Sequence, residues 1–353
     1  MSQSKLRLAI LDDYQGIAAE IFRQAVPDIE ITSFHETLHP DVQSEQEALI
    51  RRLRPFDVIS TMRERTALPE NVISALPNLK LVLTTGMKNS SLDLKTLAAR
   101  GIPVLGAKGL GTQGLTKPPT SLDSTLEHTW ALILALARNV ARDDWSIKNG
   151  AWENSFATGL RGKTLGLLGL GKLGAEVGRV GVLAFEMKVI AWSSNLTREA
   201  ADEKAQIFGL SQGTFQVAQS KEELVQKADV LSIHYVLSER SVNILTAKEL
   251  ALMKKTALLV NTSRGPLIEE QGLLSTLKQG VIRGAAFDVY NVEPLPVESE
   301  WRTVPWGKDG RSTVLLSPHM GYVEEGVMQR WYEDSAVNLK SWIQGSELTT
   351  RLN

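Results

Sequence analysis

Short apolar runs with no charge inside them recur along this 353-residue chain, each followed by a stretch whose apolar positions return at helical spacing. In the first hundred residues, strands are predicted from Leu6 to Leu11, Ile29 to Phe34, Asp57 to Thr61, Leu79 to Thr84 and Ile102 to Leu105. Helices are predicted between them, from Ile17 to Ala25, Glu45 to Leu53, Val72 to Leu76 and Leu92 to Ala99. Strands alternating with helices imply parallel βαβ units, so this segment reads as an α/β domain of its own. Gly106 to Ser121, rich in Gly, Thr, Pro and Lys, reads as a long surface loop. Leu122 to Asp144 is predicted as one long linking helix, capped by Asp123 or Ser124. A second series of apolar runs follows: Thr164 to Leu170, Met187 to Trp192, Asp229 to His234, Ala257 to Asn261, Ala285 to Val289 and Val314 to Ser317. From Tyr322 to about Gln344 a single amphipathic helix is expected, with Val327, Trp331, Val337, Leu339 and Trp342 as its apolar positions. A lone terminal helix cannot bury itself, so it is expected to return to the first domain. The predicted organisation is therefore 1–121 plus 322–353 as one domain, with 122–321 inserted between its parts.

One junction carries chemistry. The Thr164 to Leu170 run ends in Gly169, Gly171 and Gly174, spaced G-x-G-x-x-G, and a helical pattern opens at once. In a dinucleotide site the first glycine makes the tight turn, the second lets a pyrophosphate approach the backbone, and the third lets helix and strand pack closely. The diphosphate then meets unpaired N–H groups at the positive end of the helix. Glycine is frequent enough here (27 residues) for the motif alone to arise by chance, but a strand precedes it and another follows where a βαβ unit needs one. The fold class is thus α/β, with two Rossmann-like or flavodoxin-like domains.

Composition removes alternatives. Charged residues make up 22% and the net charge is -1, so nothing advertises a nucleic-acid or acidic-membrane partner. There is no cysteine, which excludes disulfides, thiol nucleophiles and cysteine-ligated metal, and fits a reducing, cytoplasmic setting. The first residues show no apolar stretch of signal-peptide length, and the apolar run from Trp130 to Ala137 is too short to span a membrane. No metal is expected: His35 and His39 lack carboxylates at ligand spacing. Gly162-Lys163-Thr164 lacks the leading glycine of a P-loop, and no G-x-S-x-G elbow occurs.

Three further stretches follow predicted strands in order: Asn261-Thr-Ser-Arg264-Gly, Asp288-Val-Tyr-Asn-Val-Glu293-Pro, and Ser317-Pro-His319-Met-Gly321. With the glycine fingerprint they resemble the D-isomer-specific 2-hydroxyacid dehydrogenases, the family of D-lactate, glycerate and 3-phosphoglycerate dehydrogenases. The resemblance runs from about Val58 to His319. It implies a NAD(P)-dependent reductase of 2-oxoacids in which Arg264, Glu293 and His319 do the chemistry. Imidazole titrates near neutral pH, so His319 can give a proton to the forming alkoxide. Glu293 would stabilise the imidazolium, and the planar fork of Arg264 can hold a carboxylate or polarise a carbonyl. Formate dehydrogenase, a relative, pairs its histidine with glutamine, and Glu293 argues against it.

The resemblance also implies cofactor contacts from Gly169, Gly171, Lys172, Leu173, Gly174, His234, Thr262, Asp288 and Gly321, with Asp288 facing the nicotinamide carboxamide. Substrate contacts are implied for Arg65, Gly86, Met87, Lys88 and Tyr322; the other reading of Arg65 is a solvated charge, and Lys88 either reaches a second anionic group or points to solvent. Lys88-Asn89-Ser90-Ser91 departs from the family's usual Asp-Asn pair, and Val236 replaces its usual proline. About 20 residues past the glycines, where NAD-binding units carry a carboxylate for the ribose 2′-OH, the chain has Ser193, Ser194 and Asn195, with Arg198 near. NADPH is accordingly expected to serve at least as well as NADH. A homodimer built on the linking helix is implied too. The other class of function open to the sequence is a nucleotide-sensing corepressor relative without turnover.

Overall fold

The protein is described by a computed structural model covering residues 5–109 and 124–353. The chain divides into two compact units, Met1–Ser121 with Glu324–Asn353, and Leu122–Val323.

In the first unit the sheet has five parallel strands, β1 (Arg7–Leu11), β2 (Glu30–Phe34), β3 (Val58–Thr61), β4 (Leu81–Thr85) and β5 (Val104–Ala107), in the order β2-β1-β3-β4-β5. Of these, β1, β3, β4 and β5 are apolar runs buried on both faces and β2 is a half-exposed edge. Gly106 and Ala107 continue β5, so the strand reaches into the segment expected to be loop. Residues from Leu110 to Asp123, which include most of that loop and Asp123, one of the two caps predicted for the linking helix, lie outside the described part. The terminal helix Glu325–Ile343 belongs to this unit, packing against the helix Ala18–Ala25 and against β4 and β5. It begins where the Glu324 carboxylate accepts the Gly326 and Val327 amides. It buries Met328, Trp331, Tyr332, Ala336 and Leu339, whereas Val337, expected on the apolar face, is 45% exposed. The last residues return to β5, with the Leu352 amide donating to the Val104 carbonyl.

The second unit has seven parallel strands: β6 (Thr164–Leu168), β7 (Lys188–Trp192), β8 (Phe215–Val217), β9 (Val230–Ile233), β10 (Leu258–Asn261), β11 (Gly284–Phe287) and β12 (Thr313–Leu316). Their order is β12-β11-β10-β9-β6-β7-β8. The chain winds outward from β6 to β8, then returns to lay β9 on the other side of β6. That reversal is the switch point beyond whose strand ends open α/β sheets bind ligands. β8, only three residues long, was not foreseen.

The linking segment departs from expectation. It forms two helices, Ser124–Ala137 and Val140–Lys148, broken at Asn139, whose φ of 56° is left-handed. Asparagine tolerates that region, and its side-chain amide donates to Ser155 Oγ and the Phe156 carbonyl. The first helix buries Leu126, Trp130, Leu132, Ile133 and Leu136 in the core of the second unit. Among the described residues no helix is long and apolar enough to cross a membrane.

Candidate active site

At the end of β6 the chain turns through Gly169 at a φ of 101°, where an added Cβ would lie 2.6 Å from the His234 carbonyl oxygen. Gly174, inside the helix Lys172–Phe185, would bring its Cβ to 2.2 Å from the Gly169 carbonyl. These two glycines are demanded by the protein's own backbone. Gly171 is different: it caps the helix in an extended conformation, and nothing lies within 4 Å of its missing Cβ. No side chain caps the helix start, so first-turn N–H groups remain for an anion. A dinucleotide diphosphate fits this open, donor-rich cradle. Lys172 is exposed beside it, and Leu173 is half-buried against the core.

Beyond β7, Ser193 is half-buried, and Ser194 and Asn195 are exposed. The Trp192 ring stacks on Tyr235, with centroids 6.3 Å apart. The Tyr235 hydroxyl donates to Ser194 Oγ (3.0 Å) and accepts from the Ser194 amide (3.2 Å). Tyr235 thus reaches from the end of β9, past β6, to the end of β7. Its one signal in the sequence is an aromatic directly after a strand-ending histidine. Arg198 is ion-paired with Asp202 at 3.3 Å along its own helix, an engagement the sequence did not suggest. His234 bonds Ser232 Oγ through Nε2 (2.8 Å), and burial pushes its pKa down to about 3, so the ring is neutral. It faces the protein, with Cβ 3.3 Å from where Gly174 would carry its own. Thr262 is also buried, its hydroxyl 2.8 Å from that of Thr129.

The neighbouring strands β10, β11 and β12 end in the loops that carry Arg264, Glu293 and His319. The Asn261 side chain ties the first loop by accepting the Ser263 amide and donating to the Arg264 carbonyl. Gly265 lies so close to Tyr290 that an added Cβ would be 2.2 Å from the Tyr290 carbonyl carbon. The Tyr290 amide in turn donates to Glu293 Oε1 at 2.8 Å. The other carboxylate oxygen, Oε2, is 2.5 Å from His319 Nδ1, and both side chains are about one-fifth exposed (20% and 18%). With Nδ1–H donated to Glu293, Nε2 is left to exchange a proton elsewhere. Tyr322 sets its ring edge-on to His319 at 5.4 Å. The Arg264 guanidinium donates to the Ser263 carbonyl through Nη1 (2.8 Å).

Asp288, expected to face the nicotinamide carboxamide, also has partners within the protein. Its carboxylate is buried and accepts the Met320 and Gly321 amides at 2.7 and 2.9 Å and His128 Nε2 at 3.0 Å. Burial raises its pKa, but the hydrogen bonds from His128, Ser317 and Met320 outweigh that and hold it below the usual carboxylate value. Among the described residues no group of three or more His, Asp or Glu could hold a metal ion.

In the first unit, Gly86 turns at a φ of 84° after β4, and Met87 and Lys88 behind it are exposed. Its missing Cβ would sit 3.4 Å from Arg63 Nη1. Arg63 also lies over the Trp331 ring, 5.5 Å from its centroid. Arg65, for which a substrate contact was expected, places its charge near the buried Asp12 carboxylate.

Residues 130–321 match the family model described as D-isomer specific 2-hydroxyacid dehydrogenase, NAD binding domain. A glyoxylate reductase from Aeropyrum pernix is 31% identical over 309 residues, 85% of this chain and 83% of the relative. A D-3-phosphoglycerate dehydrogenase from Methanocaldococcus jannaschii is 30% identical over 85% of this chain, which spans about half (52%) of that longer protein. The crystal structure of a phosphoglycerate oxidoreductase from Vibrio cholerae o395 superposes with a TM-score of 0.81 at 32% identity, covering 97% of this chain and 100% of the other. The match to the NAD-binding domain and these relatives lead to one assignment: the chain belongs to the D-isomer specific 2-hydroxyacid dehydrogenases, oxidoreductases acting on the CH–OH group.

Proposed function

We propose that this protein reduces a 2-oxoacid to the D-2-hydroxyacid, with His319 as proton donor, Glu293 as its charge partner and Arg264 as the group that holds the substrate carboxylate or polarises its carbonyl. The observation that carries the reading is the 2.5 Å contact between His319 Nδ1 and Glu293 Oε2, in loops that follow adjacent strands. A bound dihydronicotinamide supplies hydride to the carbonyl carbon. The protein supplies the rest: the carbonyl oxygen, as it gains negative charge, takes the proton of His319, and the imidazolium before that step is stabilised by the Glu293 carboxylate. The cationic fork of Arg264 favours the developing alkoxide over the neutral ketone. In the first unit, the Gly86–Lys88 turn beside Arg63 is the candidate carboxylate-binding element, with amides turned by the positive φ of Gly86.

The cofactor reading is NADPH at least as well as NADH. It is supported by Ser193, Ser194 and Asn195, none of which repels a 2′-phosphate, and by Arg198, whose side chain is about half exposed although it pairs with Asp202. Comparing kcat/KM for the two cofactors tests it, and a preference of about a hundredfold for NADH would overturn it. The homodimer reading is supported by apolar side chains left exposed on and after the second linking helix: Val140 (56%), Trp145 (60%), Ile147 (53%), Trp152 (73%) and Phe156 (91%). Light scattering that returned a monomer mass would refute it. The cysteine-free sequence supports a cytoplasmic setting.

The decisive assay follows the nicotinamide absorbance with glyoxylate, hydroxypyruvate, phenylpyruvate and branched 2-oxoacids. Oxidation with at least one is expected. Tight cofactor binding with no oxidation by any would mark a nucleotide sensor instead.

A further inference from the structure

His319 sits in a backbone conformation that needs support. Its φ of 58° is left-handed, a region that is strained for a non-glycine residue and persists only where the surroundings impose it. The two amides that follow it, Met320 and Gly321, both donate to the Asp288 carboxylate, one to each oxygen. Gly321 is packed close against that carboxylate, since a Cβ there would lie 3.2 Å from Asp288 Oδ2. The carboxylate is therefore a clamp on the peptide segment leaving the imidazole.

The clamp is itself oriented from another element. His128, on the helix Ser124–Ala137, places Nε2 3.0 Å from Asp288 Oδ1 and 3.0 Å from Ser317 Oγ. A buried carboxylate accepts, so Nε2 carries the proton and donates. His128 is 160 residues from Asp288 in sequence. The helix does not need it for docking: the same face buries Leu126, Trp130 and Ile133, and Thr129 already bonds Thr262 at the end of β10.

We propose that His128 is a positioning residue for the reductase chemistry: its N–H fixes the Asp288 carboxylate, which grips the 320 and 321 amides and so keeps the His319 imidazole aligned on Glu293. The inference rests on the reading of His319 as proton donor. Without the His128 bond, Asp288 Oδ1 retains the Met320 amide but loses a donor that fixes the plane of the carboxylate. The peptide after His319 is then able to relax from its left-handed setting, and the imidazole loses register with Glu293. Asp288 faces His128 and Tyr290, whose hydroxyl is raised by burial and by that charge, and His319 faces Glu293 and Tyr322.

The test compares His128→Ala and His128→Gln with the unaltered protein in three measurements: steady-state kinetics with NADPH and whichever 2-oxoacid it reduces, NADPH affinity, and histidine-selective NMR. The sequence has five histidines, so the His319 signal is assigned by its loss in His319→Gln. His128→Ala is expected to lower kcat about tenfold or more, as misplacing a catalytic group does. NADPH affinity should stay within about twofold, because Asp288 and His128 act on His319 and leave the glycine cradle alone. The His319 resonance should move. His128→Gln, which still offers an N–H, is expected to recover most of kcat. His128→Leu serves if the alanine cavity weakens the helix. An unmoved His319 resonance, or equal losses in all three variants that follow the fall in melting temperature, would overturn the proposal. If the unaltered protein reduces no 2-oxoacid, the function reading fails, while the resonance still decides whether His128 positions His319.

Discussion

Replacing Gly171 by alanine separates ligand binding from folding. Its φ of −74° and ψ of −164° are extended backbone open to any residue, and no heavy atom lies within 4 Å of the added methyl. Alanine is a poorer helix N-cap than glycine by up to about 1 kcal/mol, and it recovers about 0.4–1 kcal/mol by restricting the unfolded chain. The two nearly cancel, so the melting temperature should move by no more than about 4 °C. A methyl there occupies the space through which a diphosphate reaches the first-turn amides. Losing one or two charge-assisted bonds at roughly 1.5–3 kcal/mol each weakens NADPH binding by at least about tenfold. Gly174→Ala is the counterpart: its Cβ would stand 2.2 Å from the Gly169 carbonyl, a collision with backbone. It should cost about 1–3 kcal/mol or more of stability. Thermal melts and NADPH fluorescence titrations on both variants check this. Native affinity in Gly171→Ala, or a loss of stability matching that of Gly174→Ala, would refute the assignment of the cradle.

Two further outcomes are expected. Glu293→Gln keeps the shape of the His319 contact and removes its charge, worth about 1.5–3 kcal/mol for such a bond; kcat for reduction should fall about 10- to 100-fold with little change in melting temperature, and an unchanged kcat would contradict the role given to the carboxylate. His234 is neutral because burial lowers its pKa from 6.5 to about 3. A depressed folded-state value contributes stability above pH 6.5 that is lost as pH falls toward 3, so moving from pH 7.5 to 5 should cost up to about 2 kcal/mol, at 1.36 per unit below 6.5. Urea melts of His234→Gln should lack that increment; equal acid sensitivity in both proteins would contradict it.

Much of the fold was readable because apolar strands and amphipathic helices alternate strictly, and parallel topology follows from that alternation. What escaped depends on contacts distant in sequence. The helix break at Asn139 is held by Ser155 and Phe156, which no local pattern announces. Val337 matched the helical period but falls outside the stripe centred on Trp331, Tyr332 and Leu339. At the site, motif order identified Glu293 and His319, and the structure brings them together. It did not show that Arg63 lies beside Gly86 and over the Trp331 ring, since both neighbours are distant in sequence. Tyr235 and His128 were invisible for the same reason: their partners come from other strands and helices.

The most direct test of the chemistry is isotope transfer. The protein is given NADPH carrying deuterium at the transferred position of C4, together with the 2-oxoacid it reduces fastest, and the product is analysed by mass and by chirality. A D-2-hydroxyacid bearing one deuterium at C2 is expected, formed by the unaltered protein and lost in His319→Gln. Product of the opposite configuration, product without label, or undiminished turnover in His319→Gln would contradict hydride reduction with His319 as the proton donor.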